Sequence, residues 1–207
     1  MIFLTNEQIQ QVLDMKTCIE AMEDAYRELN ESRAGYRPRI DFYVPQEPHY
    51  YRWGTMEGAS RTLGVFAIRM KSDMLAWENQ DGYTVEDKYC MERGRYCGLI
   101  FLLSTRNAEP LALMNDGYLQ HMRVGACAGL GTKYLARKNS KVLAMIGSGG
   151  MARTYSEAIK HVCPIEVMRV FSPTKANREA YAAEMTEKLD IEVVPVDSPE
   201  KALKGAD

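Results

Sequence analysis

Positive charge is not in excess in this chain. Its 207 residues carry 26 Lys and Arg against 28 Asp and Glu, a formal net charge of −2, with the two signs interspersed. Neutralising nucleic-acid phosphates takes a basic surface, so nucleic acid is not its expected main partner. Long hydrophobic runs are missing as well: nothing approaches the roughly 18 apolar residues of a membrane span. The N-terminus, Met1 to Glu7, has neither the basic start nor the apolar stretch of a signal peptide. Cysteine is sparse and scattered, at Cys18, Cys90, Cys97, Cys127 and Cys163. Without a secretory signal these five read as free thiols in a reducing cytoplasm. Histidine is sparser still. His49, His121 and His161 share no i, i+4 spacing and lie near no cysteine pair. Cys90 and Cys97 are too far apart for a structural-zinc knuckle, and Arg93 and Arg95 between them would repel a cation, so no metal site is expected. Repeats and low-complexity segments are also absent.

What is present is ordinary globular composition, 46% hydrophobic and 26% charged, enough for one large or two small domains. Thr5 and Gln8 form a capping-box pattern ahead of Ile9, Val12 and Leu13. Asp14 can cap a second helix, in which Cys18, Ile19, Met22, Ala25, Tyr26 and Leu29 recur at helical spacing. From Arg37 to Trp53 the texture turns to aromatics, prolines and short alternations, which predict strands and turns. Leu63 to Met70, Gly98 to Ser104 and Leu111 to Met114 also read as strands. The polar stretch Glu78 to Gly94 reads as a long loop or an excursion with its own turn. Helices followed by several strands make this half α+β. A long helix is expected from about Gly117 to Arg137, with Gly125, Ala126, Ala128 and Gly129 close together. Glycine inside a helix costs about 1 kcal/mol relative to alanine, so another backbone or a ligand should approach there. Tight packing against the neighbouring domain is the favoured reading, with a ligand contact left open.

The remainder alternates strand and helix. Lys141 to Ile146, Glu166 to Phe171 and Ile191 to Val196 read as strands, with helices at Arg153 to His161 and Ala176 to Leu189 between them. Ser198 caps a further helix that starts with Pro199 at its first position. This βαβαβ pattern is the first half of a doubly wound nucleotide-binding domain, and the chain stops where a fourth strand is expected. The expected organisation is therefore an α+β domain over 1–116 and a Rossmann-type domain over 117–207. After its first strand comes Gly147-Ser148-Gly149-Gly150-Met151-Ala152, a G-x-G-x-x-A loop opening a helix inside a βαβ unit. Gly147 permits the tight turn and Gly149 a close approach of backbone to pyrophosphate. Ala152 stands where helix and strand pack closely, and the helix N-terminus offers N–H groups to the phosphates. The tip of the second strand, where an NAD site carries Asp or Glu for the ribose hydroxyls, reads Phe171-Ser172-Pro173-Thr174-Lys175 with Arg178 a turn later. Ser172, Thr174, Lys175 and Arg178 suit a 2′-phosphate, which leans the cofactor from NAD towards NADP(H). The alternative is a solvated basic turn.

Several segments together resemble the ornithine cyclodeaminase / μ-crystallin family. These are Arg37-Pro38-Arg39, Arg69-Met70-Lys71, Glu109-Pro110-Leu111-Ala112-Leu113, Met122-Arg123-Val124-Gly125-Ala126, Lys133 to Arg137, and Ile146 to Ala152. The resemblance spans the whole chain. It implies a homodimer-forming, substrate-binding α+β domain joined to an NAD(P)-binding Rossmann domain. It also implies hydride transfer between nicotinamide and the Cα of a small amino or imino acid, by a cyclodeaminase (a lyase), ketimine reductase or amino-acid dehydrogenase. By the same resemblance Arg39 and Arg123 match arginines that hold the substrate carboxylate, and Lys71 a lysine near the reacting centre. Arg37 competes with Arg39. A guanidinium fork grips a carboxylate bidentately, and a desolvated lysine can move a proton. The chain departs from the pattern at Val124, where many relatives have Thr. By the resemblance the family's catalytic aspartate would fall beyond Asp207, so the chain is expected to be C-terminally incomplete, either a fragment or an unusual truncated form, that as written should not complete cyclodeamination. Trp77 to Gly98 looks like an insertion near the substrate. The resemblance also leaves open a μ-crystallin-like NADP(H)-binding protein with little or no turnover.

Overall fold

A computed structural model describes residues 1–80 and 82–207. It divides the chain into two units, one of Met1–Val12 with Asp24–Leu119, the other of Leu13–Glu23 with Gln120–Asp207.

The first unit is built on a sheet. β1 (Ile2–Leu4) leads into α1 (Asn6–Val12), whose start is the reciprocal capping box. Thr5 N–H donates to Gln8 Oε1 at 2.9 Å, and Gln8 N–H to Thr5 Oγ1 at 3.3 Å. Then come β2 (Ala34–Gln46), β3 (His49–Ser60), β4 (Val65–Gln80), β5 (Tyr83–Tyr89), β6 (Cys97–Ser104) and β7 (Pro110–Asn115). Among the described residues they form one seven-stranded sheet, in the order β1-β7-β6-β4-β3-β2, with β5 paired to the far end of β4. All pairs are antiparallel except β1 with β7. The stretch Glu78 to Gly94 is thus an excursion rather than a loop. β4 runs on to Gln80 and folds back as β5, with Trp77 opposite Glu86 and Glu78 opposite Val85; Asp81 lies outside the described residues. Its polar alternation hid the strands, because neither face of a projecting hairpin needs to be apolar throughout.

Two helices carry the chain between the units. α2 (Met15–Asn30) is capped by Asp14, whose Oδ1 accepts from Thr17 N–H at 2.7 Å, and α3 spans Gly117–Leu135. The first half of α2 belongs to the second unit. There the buried Glu23 carboxylate accepts from Lys133 Nζ at 2.5 Å and also from Tyr134 Oη.

The second unit has β8 (Val142–Ile146), α4 (Gly150–Val162), β9 (Val167–Phe171), α5 (Lys175–Leu189), β10 (Glu192–Val196) and α6 (Pro199–Leu203). Its three strands are parallel, in the order β10-β9-β8. This is the βαβαβ arrangement read from the sequence, so the fold is α/β with an α+β first unit. Met168, Val170, Tyr181 and Met185 are fully buried at its centre. Tyr181 spends its hydroxyl on Ser156 Oγ at 2.7 Å and Ala152 O at 3.0 Å, tying α5 to the start of α4. Among the described residues no helix is long and apolar enough to cross a membrane.

Candidate functional site

Gly147 ends β8 with φ +114°, a conformation only glycine adopts without strain. Its N–H donates to Phe171 O at 2.7 Å, which fastens the loop to the end of β9. Gly149 is the N-cap of α4 and supplies no side-chain cap. Apart from Ala152 N–H, which donates to Gly149 O at 3.1 Å, the first-turn amides of α4 are left without a side-chain cap, and with the positive dipole end they suit an anion. A Cβ built on Gly149 would meet nothing within 4 Å, so the space beside this backbone is open. Ala152, one turn in, is buried against the core. Gly150 faces the His121 ring, 3.1 Å from where its Cβ would be. Ser148 and Met151 are half-buried on the same loop. Sequence reasoning missed Arg153. Its Nη1 donates to the carbonyls of Ser148 (3.0 Å) and Gly149 (3.2 Å), while its fork grips Glu184 on α5 through Nε and Nη2. The open cradle, the left-handed glycine and the uncapped helix start together fit a dinucleotide pyrophosphate.

At the end of β9, Ser172 is buried and Thr174 is the N-cap of α5 without a side-chain cap bond. Lys175 is exposed and 3.7 Å from Glu179. The Arg178 guanidinium donates to the carbonyls of Ser172 (3.1 Å) and Pro173 (3.3 Å), so it shapes the turn as well as charging it.

Helix α3 carries Arg123, half-buried, with Nη2 on Gln120 Oε1 at 2.9 Å. Nearby, burial pushes the Cys18 thiol up to about 11. Two of the small residues of α3, Gly125 and Gly129, pack on α4 of the same unit. A Cβ at Gly125 would lie 2.6 Å from Thr154 O, and one at Gly129 2.9 Å from Ala158 Cβ.

In the first unit, the two-residue period of β4 puts Arg69, Lys71 and Asp73 on one face of the sheet. Lys71 lies opposite Gly54 on β3 and opposite Gly98 on β6. Both glycines have a reason: a Cβ at Gly98 would collide with the Asp116 carboxylate, and one at Gly54 with that of Asp41. Two carboxylates thus lie over the sheet on either side of the lysine. Asp116 is held by Arg69 Nε at 2.5 Å, and Asp41 by Arg39 Nε at 2.7 Å. Asp73 is fully buried, with Oδ2 on Arg52 Nη2 at 2.6 Å and Oδ1 3.5 Å from Lys71 Nζ. Asp73 Oδ1 and Arg52 Nε have no hydrogen-bond partner. Burial lowers the pKa of Lys71; Asp73 opposes that shift, Arg69 and Lys88 add to it, and Asp116 opposes it again. Arg37 is placed differently: its fork is engaged by Glu57 on β3, at 2.6 and 2.7 Å. Asp73, Asp116 and Arg52 were not found from the sequence. The alternation Arg69-x-Lys71-x-Asp73 was the available signal, since three charges on one face of a central strand need partners. Among the described residues, no three His, Cys, Asp or Glu side chains are grouped to hold a metal ion.

The family model described as "Ornithine cyclodeaminase/mu-crystallin family" matches residues 1–207. A Delta(1)-pyrroline-2-carboxylate reductase of Bacillus cereus is 37% identical over 110 residues, covering 53% of this chain and 34% of that protein. An alanine dehydrogenase of Archaeoglobus fulgidus is 27% identical over 170 residues, 82% of this chain and 48% of that protein. Among solved structures, the Delta(1)-pyrroline-2-carboxylate reductase of Thermococcus litoralis, in complex with NADH and L-proline, superposes with a TM-score of 0.83 at 30% identity. That match covers 100% of this chain and 60% of the reductase. The chain thus spans less than two thirds of the relatives it matches. With the family pattern matched from end to end, the chain belongs to the ornithine cyclodeaminase/mu-crystallin family.

Proposed function

We propose that this chain is part of an NAD(P)H-dependent reductase of small cyclic imino acids, acting at the carbon that becomes Cα of the product amino acid. The observation that carries the reading is Lys71: a half-buried ammonium, destabilised by burial, set between carboxylates on a polar sheet face. A lysine so placed gives up a proton more readily than one in water, which suits protonation of an imine nitrogen. Nicotinamide, when bound, would supply the hydride to the imine carbon. Arg123, and Arg39 beside Asp41, would grip the substrate carboxylate and fix its orientation. Gly147 to Ala152 would hold the pyrophosphate. Ser172, Thr174, Lys175 and Arg178, with no acid among them, favour NADP(H) over NAD(H).

Reduction is preferred to cyclodeamination because the 30% identical solved relative is a pyrroline-2-carboxylate reductase. We further propose a homodimer, since the edge strand β2 exposes Ile40 and Phe42, with the half-exposed Trp53 beside them on β3. A cytoplasmic location is supported by five cysteines outside any disulfide.

The test is steady-state NAD(P)H oxidation by the protein at its full native length with five- and six-membered cyclic ketimine carboxylates. Arg123→Lys should weaken substrate binding with cofactor affinity kept, and Lys71→Ala should slow the hydride step more than it weakens binding. Conversion of L-ornithine to proline with no net cofactor consumption would replace the reductase by a cyclodeaminase. Tight NADPH binding with no turnover on either panel would refute both.

A further inference from the structure

Cys90 and Cys97 bracket a short excursion of the chain beside the Lys71 face. β5 and β6 pair in turn with the same edge of β4: Tyr89 is opposite Met74 and Cys97 is opposite Ser72. Met74 and Ser72 are two residues apart, about 7 Å along a strand. The chain therefore leaves the β4 edge at Cys90 and returns to it at Cys97 within that span. Residues 91–96 fold into a tight loop, closed by Cys90 N–H on Arg95 O (2.9 Å), Glu92 N–H on Cys90 O (2.8 Å) and Arg95 N–H on Glu92 O (3.2 Å). This sets the two thiols near enough for Cys90 to influence Cys97, and both line one 240 Å³ cavity with Tyr96, Gly98 and Asp116. Both side chains are half-buried rather than sealed in the core, unlike Cys18 and Cys163. Two cysteines returned to neighbouring positions on one strand edge suit a disulfide, whose Cα atoms stand roughly 4.4–6.8 Å apart.

We propose that Cys90 and Cys97 are a reversible dithiol–disulfide pair, a modification site that closes the 91–96 loop under oxidation. With a hydroperoxide as oxidant, one thiolate attacks the O–O bond, becoming a sulfenic acid and releasing water or alcohol. The second thiol attacks that sulfur, forming the S–S bond and releasing water. Two thiols lose two electrons and two protons, and the peroxide is reduced by the same two electrons. A dithiol reductant reverses the bond by exchange. Burial and the adjacent Cys90 thiol raise the pKa of Cys97, so oxidation should quicken as pH rises.

The experiment treats the reduced protein with hydrogen peroxide at a few equivalents, blocks remaining thiols with iodoacetamide under denaturant, and maps tryptic peptides by mass spectrometry. Cleavage after Lys88, Arg93, Arg95 and Arg106 separates Tyr89–Arg93 from Tyr96–Arg106. The expected product is these two peptides joined, lost on dithiothreitol treatment, with Cys18, Cys127 and Cys163 still alkylated. Cys90→Ser and Cys97→Ser should each abolish the cross-link and leave the other cysteine as sulfenic acid or its over-oxidised form. Oxidation that reaches Cys127 before the pair, or single-cysteine oxidation at 90 or 97 with no cross-link in the unsubstituted protein, would overturn the proposal.

Discussion

Replacing Gly149 separates binding from folding in a way few positions allow. Its backbone, at φ −78° and ψ −176°, is extended and open to any residue, and an added Cβ meets no protein atom within 4 Å. Gly149→Val should therefore fold; valine is a poorer N-cap than glycine, and the loss should stay near or below about 1 kcal/mol. The isopropyl group would project into the open space where a pyrophosphate must approach the first-turn amides of α4. An affinity loss of at least about tenfold, near 1.4 kcal/mol, is expected. Gly147 provides the contrast. Its φ of +114° means that Gly147→Ala puts a Cβ on strained backbone, at about 1–3 kcal/mol of stability. Calorimetric titration with NADPH and thermal melting of both variants give the two axes. The account expects Gly149→Val to bind poorly and melt nearly as the parent does, and Gly147→Ala to melt lower. A folded Gly149→Val protein that binds NADPH as tightly as the parent would refute the assignment of this loop.

Other positions give sharp outcomes. Gly125→Ala should destabilise by about 1–3 kcal/mol, because its Cβ would press on the Thr154 carbonyl, whereas Gly131→Ala, in open space on the same helix, should be neutral or stabilising in thermal melts. NADPH should bind more tightly than NADH. Lys175→Ala should narrow that gap with little change in melting, and Arg178→Ala should narrow it and also lower stability, since it loses two carbonyl contacts; NADH binding more tightly would reverse the cofactor preference. Asp73→Asn leaves buried Arg52 with only the Glu86 carboxylate, 4.0 Å away, at about 3 kcal/mol of stability. It also removes a charge that supports the Lys71 ammonium, so Lys71 should lose its proton at still lower pH and the alkaline fall in reductase rate should move to lower pH. An unmoved pH profile would show that Asp73 and Lys71 act independently.

Legibility from the sequence followed how local the determining physics is. The second unit was readable because its signals are short-range: Ser198 Oγ accepts from Lys201 N–H at 3.3 Å, with Pro199 at the first helical position. The same holds for the capping box of Thr5 and Gln8 and for the glycine loop. The crowded glycines of α3 announce a close approach, but the partner that Gly125 and Gly129 meet, α4, is set by tertiary packing that no local pattern carries. β1 was missed because three residues carry no period; only its parallel pairing with β7 makes it a strand. The charged face around Lys71 was hidden for the same reason. Asp116 reaches the lysine through the register of β6 and β7 and the missing side chain of Gly98, a relation between positions far apart in sequence. Lys71, Arg39 and Arg123 were named through family resemblance alone; spacing gave no ground for preferring them to neighbouring cations.

The central claim is hydride delivery to the Cα of a small imino acid. Its most direct measurement is the fate of a label. The protein at its native length is incubated with Delta(1)-pyrroline-2-carboxylate and nicotinamide cofactor carrying deuterium at the transferred position, and the product is examined by mass spectrometry and NMR. The account predicts proline with one deuterium at Cα, in step with cofactor oxidation, and a sharply lower rate in Lys71→Ala. Proline formed without deuterium at Cα, or labelled cofactor left intact while substrate is consumed, would contradict it.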